Sequence, residues 1–354
     1  MKILFLPNWH VKKTNVKIDD LQSQNYYIPG MSYWFFVHFA NQVDIDVIDM
    51  GSIAPIEHLE QYGLRFYVIQ ALRAIPKLNQ YDVVISHSVQ SGLVLAIWRR
   101  LFKTRAKHLV FDIGSFNSAA EGGMAQRMMQ WASKSFDGLI YHTSTQIDYY
   151  KKFYPWLVEK AYFIRFGTDM EYFRLPSNKK VNDKKYIICV GYEKRDWDTL
   201  IEAYSLIDTN VKLRLVGHVE EKYKGIPGVE QIPYMPIKEL MIQIREAQFG
   251  VLPLKKVNYS YGQMTLLQQM ALEKCVLAAK VPSLQDYIVE NETALFYEPS
   301  NVENLREKIN WLLDNPSIAV QIGRNARRYL EIMCNEKIMA KDVEKVVVKI
   351  LKQV

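Results

Sequence analysis

VLPLKKVNYSYGQMTLLQQMALEKCVLAA, residues 251–279, is the stretch on which the reading of this chain turns. It opens on a short apolar run of strand character, crosses a polar, aromatic-rich loop, and enters a helix at GQMT (262–265). A helix that starts there offers backbone N–H groups without intrahelical partners, together with the positive end of its dipole. A diphosphate suits such a place: Gly262 lets an anion come close to the backbone, and Thr265 adds a hydroxyl to the amides of Gln263 and Met264. Taken alone, the stretch leaves open an ordinary strand exit and helix start.

The same alternation extends outward in both directions. Val- and Ile-rich runs at 186–191, 212–217, 249–254, 275–279 and 294–299 predict strands, and the intervening periodicity predicts helices over 198–207, 237–247, 264–272, 302–313 and 317–334. Upstream, strands are expected at 2–7, 43–50, 81–87, 108–113, 138–143 and 161–166, with helices at 64–78, 92–102, 124–134 and 146–153. RLPSNKKVNDK (174–184) is polar, holds a Pro and has no apolar period, so it reads as an interdomain linker. The fold class is therefore α/β, with two Rossmann-like doubly wound domains over 1–173 and 174–335. A basic amphipathic helix at 336–354 is placed to pack back on the first domain.

With 354 residues, the chain exceeds what a single core usually fills, and 49% hydrophobic content argues against disorder. Three scattered cysteines, Cys189, Cys275 and Cys334, suggest neither a disulfide framework nor a zinc site, which fits a reducing, cytoplasmic compartment. The opening MKILFLPNW is too short in its apolar run for a signal peptide core. A formal charge of +7 favours anionic partners without choosing among them. Nucleic acid is not expected, because no recognised binding motif is present.

Two more segments carry candidate chemistry. In VGYEKRDWDTLIEAY (190–204) a strand ends at Gly191, a loop offers Lys194 and Arg195, and a helix comes next with Asp196 or Asp198 as its cap. In AYFIRFGTDMEYF (161–173) a strand runs into Gly167 and Asp169, which can turn the chain and cap the succeeding residues.

The order and spacing of these three segments resemble the retaining GT-B glycosyltransferases of the glycosyltransferase family 4 type. RFGTDMEYF (165–173) is similar to the turn that closes that family's first domain, and VGYEKRDWDTLIEA (190–203) to its diphosphate-binding loop and helix. Alignment on Leu200, Ile201, Glu202 and Ala203 puts Arg195 where the family keeps a Lys; Tyr192 stands where it keeps an Arg, a loss for which Lys194 compensates. GVEQIPYMPIKEL (228–240) resembles the turn that meets the base, which implicates Ile232, Pro233 and Tyr234, although a packed role for Tyr234 stays open. The family's two signature glutamates are both absent: LLQQMA (266–271) puts Gln268 at the ribose position and Ser260 eight residues before it. Gln268 can still exchange hydrogen bonds with ribose hydroxyls, whereas Ser260 cannot supply a carboxylate's charge.

The resemblance implies two domains facing each other across a cleft, and metal-independent, retaining transfer from a UDP- or GDP-linked sugar to a glycan, lipid-linked or other hydroxyl acceptor. It implies no cofactor, and a place in polysaccharide or glycolipid biosynthesis. A catalytically silent sugar-nucleotide or glycan-binding protein is the alternative. In the first domain the resemblance points to Gly30 and Ser32 in a loop over the donor phosphates, and to Asp112 and His87 at strand ends beside the donor sugar; a cap or buried hydrogen bond is the competing role for each. LVLAIWRRLFKTRAKH (93–108) interleaves apolar residues with five cations and no acid, a pattern suited to an anionic membrane surface and to a peripheral location on its inner face. MSYWFFVHF (31–39) could line a lipid-facing cleft. Asp196 with Asp198, and Asp44 with Asp46, have the spacing of a metal-binding carboxylate pair, but a helix start and a strand interior argue against that use.

Overall fold

The structure is a computed structural model describing residues 1–114, 116, 121–174, 186–191, 193–257 and 259–353. The Val/Ile runs form parallel strands, most of them buried on both faces, as expected of strands covered by helices on either side. In the first unit the strands are β1 (Lys2–Leu6), β2 (Lys12–Lys13), β3 (Tyr26–Tyr27), β4 (Asp44–Val47), β5 (Val83–Ser86), β6 (Lys107–Asp112), β7 (Gly138–Tyr141) and β8 (Ala161–Phe163). Six of them make a parallel sheet in the order β4-β1-β5-β6-β7-β8, and β2 pairs with β3 apart from it.

The helices of this unit are α1 (Ala54–His58), α2 (Val68–Ala74), α3 (Val89–Leu101), α4 (Met124–Ser133) and α5 (Gln146–Phe153). The single helix expected over 64–78 is broken. A π-helical turn over Leu59–Leu64 ends at Arg65 in the left-handed region (φ 59°), so α2 begins only at Val68. Pro76, which has no N–H to donate, leaves the last turn as a 3₁₀ segment.

In the second unit, β9 (Tyr186–Val190), β10 (Lys212–Gly217), β11 (Val229–Pro233), β12 (Gly250–Leu252), β13 (Val276–Ala279) and β14 (Leu295–Tyr297) form a parallel sheet in the order β11-β10-β9-β12-β13-β14. Around it lie α6 (Trp197–Ser205), α7 (Ile237–Glu246), α8 (Gln263–Ala271), α9 (Pro282–Gln285), α10 (Val302–Asp314) and α11 (Pro316–Met333). β11 falls where the sequence suggests only a turn. It is an edge strand, half-exposed along its length and registered from Leu213 opposite Val229 to Gly217 opposite Pro233, so its sequence needs no continuous apolar run.

The chain divides into two compact units, Met1–Arg165 with Glu336–Val354, and Phe166–Asn335. The division thus falls before Phe166 rather than after Phe173. Phe173 lies in the second core, Thr168 N–H donates to Cys334 O at 3.1 Å, and Asp169 accepts from the N–H groups of Glu171 and Tyr172, each at 3.0 Å. Of the linker, only Arg174 lies within the described residues.

α12 (Glu336–Lys352) belongs to the first unit. Its Val343, Val347 and Ile350 are buried, Glu336 accepts from Trp34 Nε1 at 2.8 Å, and Glu344 accepts from the N–H groups of Ala40 and Asn41, each at 2.8 Å.

Candidate functional site

Strands β9 and β10 of the second unit end side by side on glycines. Gly191 (φ 90°) and Gly217 (φ 140°) both adopt left-handed backbone, and a Cβ on Gly217 would come within 3.3 Å of Gly191 Cα. A Cβ on Gly191 would stand 2.7 Å from Arg195 Nη2. The missing side chain is therefore what lets the guanidinium fold back over the strand end. There Nε donates to Val190 O at 3.0 Å, Nη1 to Glu193 O at 3.3 Å and Nη2 to Thr265 Oγ1 at 3.1 Å. Arg195 is 7% exposed.

Val190, Gly191, Glu193, Arg195 and Gly217 line a cavity of about 380 Å³ together with Tyr234, Met235 and Tyr261. Tyr261 donates its hydroxyl to Glu193 O at 2.6 Å and puts its ring 5.6 Å from the Arg195 guanidinium. Tyr234 is 82% exposed at the cavity wall, so it is not a packed aromatic. Gly217, Met235 and Tyr261 do not stand out in the sequence. The glycine that ends KLRLVG is the signal for the first; the other two lie in the 228–240 turn and in the aromatic-rich loop before GQMT, where nothing singles them out from their neighbours.

Of the remaining expected residues, Thr265 is joined to the cavity through Arg195. Gly262 (φ 86°) is the N-cap of α8, where a Cβ would strike Leu254. Gln263 and Ser260 are buried, Gln268 is half-buried, Met264 is exposed, and none of the four lines the cavity. Lys194 is also absent from the cavity wall. It adopts φ 54° and lays its ammonium on the rings of Tyr259 and Tyr261, with a short contact to the Tyr259 hydroxyl. Tyr192, the position of the lost Arg, lies outside the described residues.

Asp196 is the N-cap of α6, bonded to Thr199 Oγ1 and Ser300 Oγ, each at 2.9 Å, while Asp198 pairs with Lys222 at 2.9 Å and accepts from Tyr223 at 2.8 Å. Both carboxylates of that candidate metal pair are thus engaged elsewhere. Asp46 of the other pair accepts from Tyr81 at 2.7 Å.

In the first unit, Asp112 is fully buried at the end of β6 and accepts from Gly114 N–H at 2.9 Å, Tyr150 OH at 2.6 Å and Gln146 Nε2 at 3.3 Å. His87, just past β5, stacks on Phe111 at 5.2 Å and meets Trp9 edge-on at 4.8 Å. Burial, helped by the neighbouring His142, holds its pKa down at about 3, so the ring is neutral at pH 7. Gly30 (φ 79°) sits in an exposed turn with open space around its Cα, and Ser32 is next to that turn on the exposed surface.

The two lipid-facing expectations change. Tyr33, Trp34 and Phe36 are buried around Phe5 and Phe35 stacks on Phe36, so the aromatic run 33–36 belongs to the core, while Met31, Ser32 and Val37 are exposed. Leu93, Leu95 and Ala96 are likewise interior, and Arg99 is tied to Asp137 at 2.8 Å. Segment 93–108 therefore cannot lie flat on a bilayer, and its exposed apolar residues, Leu101 and Phe102, are confined to one end.

Residues 173–329 match the family model described as Glycosyl transferases group 1. Over 146 residues the chain is 26% identical to an uncharacterized glycosyltransferase of Methanocaldococcus jannaschii, covering 40% of this chain and 41% of that protein. Over 209 residues it is 24% identical to the capsular polysaccharide biosynthesis glycosyltransferase CapM of Staphylococcus aureus, covering 53% and 54%. The matched region thus spans about half or less of the length of these relatives. Among solved structures, HepE of Anabaena in complex with UDP superposes with a TM-score of 0.70 at 13% identity, over 99% of this chain and 100% of that one. The same protein is also known with UDP-glucose. The fold is that of the GT-B glycosyltransferases, with two parallel-sheet α/β domains.

Proposed function

We propose that the chain is a retaining, metal-independent glycosyltransferase of the family 4 type, whose second unit binds a UDP- or GDP-linked sugar. The observation that carries this reading is the Arg195 guanidinium, held by Val190 O, Glu193 O and Thr265 Oγ1 on the wall of a glycine-edged cavity. Held by these three acceptors, it meets a diphosphate without reorganisation. It also favours the added negative charge of the leaving phosphate over the ground state, which is how a fixed donor accelerates transfer. Thr265, in the first turn of α8, is tied to the same place by its hydrogen bond from Arg195. Tyr234 and Met235 then offer a surface to the base.

With Ser260 and Gln268 in place of two carboxylates, the donor sugar is oriented without a negative charge from α8, and Gln268 is assigned to the ribose. UDP in HepE and the capsular role in the name of CapM favour a uridine nucleotide and a glycan or lipid-linked acceptor. Peripheral association with the cytoplasmic face of an anionic membrane is supported by Leu101, Phe102, Lys103 and Arg105, all exposed, beside the Arg100 guanidinium 5.5 Å from the Trp131 ring.

Nucleotide release from a panel of UDP- and GDP-sugars, paired with thermal-shift measurements, tests the reading. One donor should stabilise the protein and turn over. Stabilisation without turnover or donor hydrolysis favours a silent sugar-nucleotide-binding protein, and a chain that no nucleotide stabilises refutes both of these and leaves the silent glycan-binding protein.

A further inference from the structure

A second cavity, of about 490 Å³, lies in the first unit beside the edge strand β4 and is lined by Lys13, Tyr27, Asp49, Arg73 and Lys77 among others. Its position is a result of the topology. Ile48 and Asp49 come directly after the carboxyl end of β4, and Lys13 lies on the chain that leaves the carboxyl end of β1. Ligands of open parallel sheets bind at that edge.

The charges are arranged for an anion. Arg73 is held by Gly51 O at 2.8 Å and Asp49 O at 3.3 Å, with its Nη1 3.8 Å from the Asp49 carboxylate. That carboxylate also accepts from Val11 N–H at 3.0 Å, so the one acid of the cavity is already engaged. Lys13 and Lys77 have no carboxylate partner among the described residues, and three cations face one acid across a concave wall. Clustered cations in a concavity focus the field on a small anion far more than the same charges on a convex surface. Tyr27 lines the cavity without adding charge; its hydroxyl donates to Ile45 O at 2.9 Å and meets at 3.4 Å the carboxylate of Asp46, which also accepts from Tyr81 at 2.7 Å.

We infer that this cavity binds a phosphate group, gripped by Lys13 and Lys77 and fixed in register by Arg73. Under the transfer function proposed for the second unit, on which this clause alone rests, the phosphate is carried by the acceptor; the site itself stands on Lys13, Arg73 and Lys77.

Calorimetric titration of the full chain with inorganic phosphate, and separately with glycerol 1-phosphate, tests it in the wild type, in Lys13→Gln/Lys77→Gln and in Arg195→Ala. Both lysines are exposed, so the double variant should fold, and circular dichroism checks this. Binding should weaken at least tenfold in the double variant and persist in Arg195→Ala. Equal binding by the double variant and the wild type, or loss confined to Arg195→Ala, overturns the site. Tighter binding of the monoester than of phosphate supports an acceptor-borne group; equal binding of the two refutes that clause while supporting the site. Failure of all nucleotide-sugars to turn over would sink the transfer reading and leave this pattern of variants unchanged.

Discussion

Removing the guanidinium of Arg195 should disable the second unit's cavity without unfolding it. A guanidinium has five N–H donors, and three are committed here to Val190 O, Glu193 O and Thr265 Oγ1. Two are left for a bound diphosphate. Hydrogen bonds to charged groups contribute about 1.5 to 3 kcal/mol each, so losing two costs about 3 to 6 kcal/mol, or roughly a hundred- to ten-thousandfold in kcat/KM. Arg195→Ala should therefore lose roughly that factor in donor turnover and in nucleotide affinity. Arg195→Lys should fall nearer to Ala than to wild type, because an ammonium on a flexible stem cannot hold a carbonyl, a hydroxyl and an anion at once. Initial rates of nucleotide release, calorimetric binding of UDP and a melting curve for each variant make the comparison. A folded Arg195→Ala protein with turnover and affinity within threefold of wild type would refute the reasoning.

Gly191→Ala should be worse than an ordinary loop substitution. Left-handed backbone costs a non-glycine residue about 1 to 2 kcal/mol, and the new Cβ would also dislodge Arg195; denaturant unfolding should show the first effect and UDP titration the second. For Glu344, burial would raise the carboxyl, but the N–H groups of Ala40 and Asn41 and the Asn41 side chain outweigh it and hold the pKa below the usual value. A depressed carboxyl stabilises the fold above its unfolded pKa of about 4.3 and loses that effect as pH falls through the folded value. Glu344→Gln should accordingly lower the melting temperature at pH 7, and the gap should close below about pH 4. Turnover should survive a chelator, and its abolition, reversed by added divalent metal, would contradict metal-independent transfer. Flotation with anionic vesicles should exceed that with neutral ones and drop in Phe102→Ser/Lys103→Ser; equal flotation by wild type and variant would end the membrane proposal.

Most of the fold can be read from the sequence because parallel strands buried on both faces leave long apolar runs, such as YIICV and VVIS, that few other structures tolerate. What escapes is whatever burial does not write into local pattern. β11 is half-exposed, and the break before α2 depends on one left-handed residue, Arg65. The site is legible as segments and not as a constellation. GQMT and EKR each announce a helix start, yet the hydrogen bond from Arg195 to Thr265 spans 70 positions and exists only because Gly191 makes room for it. Lys194 fails to join the cavity for a reason no pattern carries, the two tyrosine rings it lies on. Aromatic residues in MSYWFFVHF suggest a lipid surface because composition cannot distinguish a greasy exterior from an interior that happens to be rich in rings.

The return of α12 to the first unit sets an order of events during synthesis. Chains emerge from the ribosome from the N-terminus at roughly 5 to 20 residues per second, and domains usually fold in that order. Here the earlier unit lacks the partners of Trp34, Ala40 and Asn41 until Glu336 and Glu344 have been translated, after every strand and helix of the later unit. The later unit can therefore mature first, while its predecessor waits with Trp34 and the 40–41 amides unsatisfied. A premature stop just ahead of Glu336 would cripple the half of the molecule that was made first.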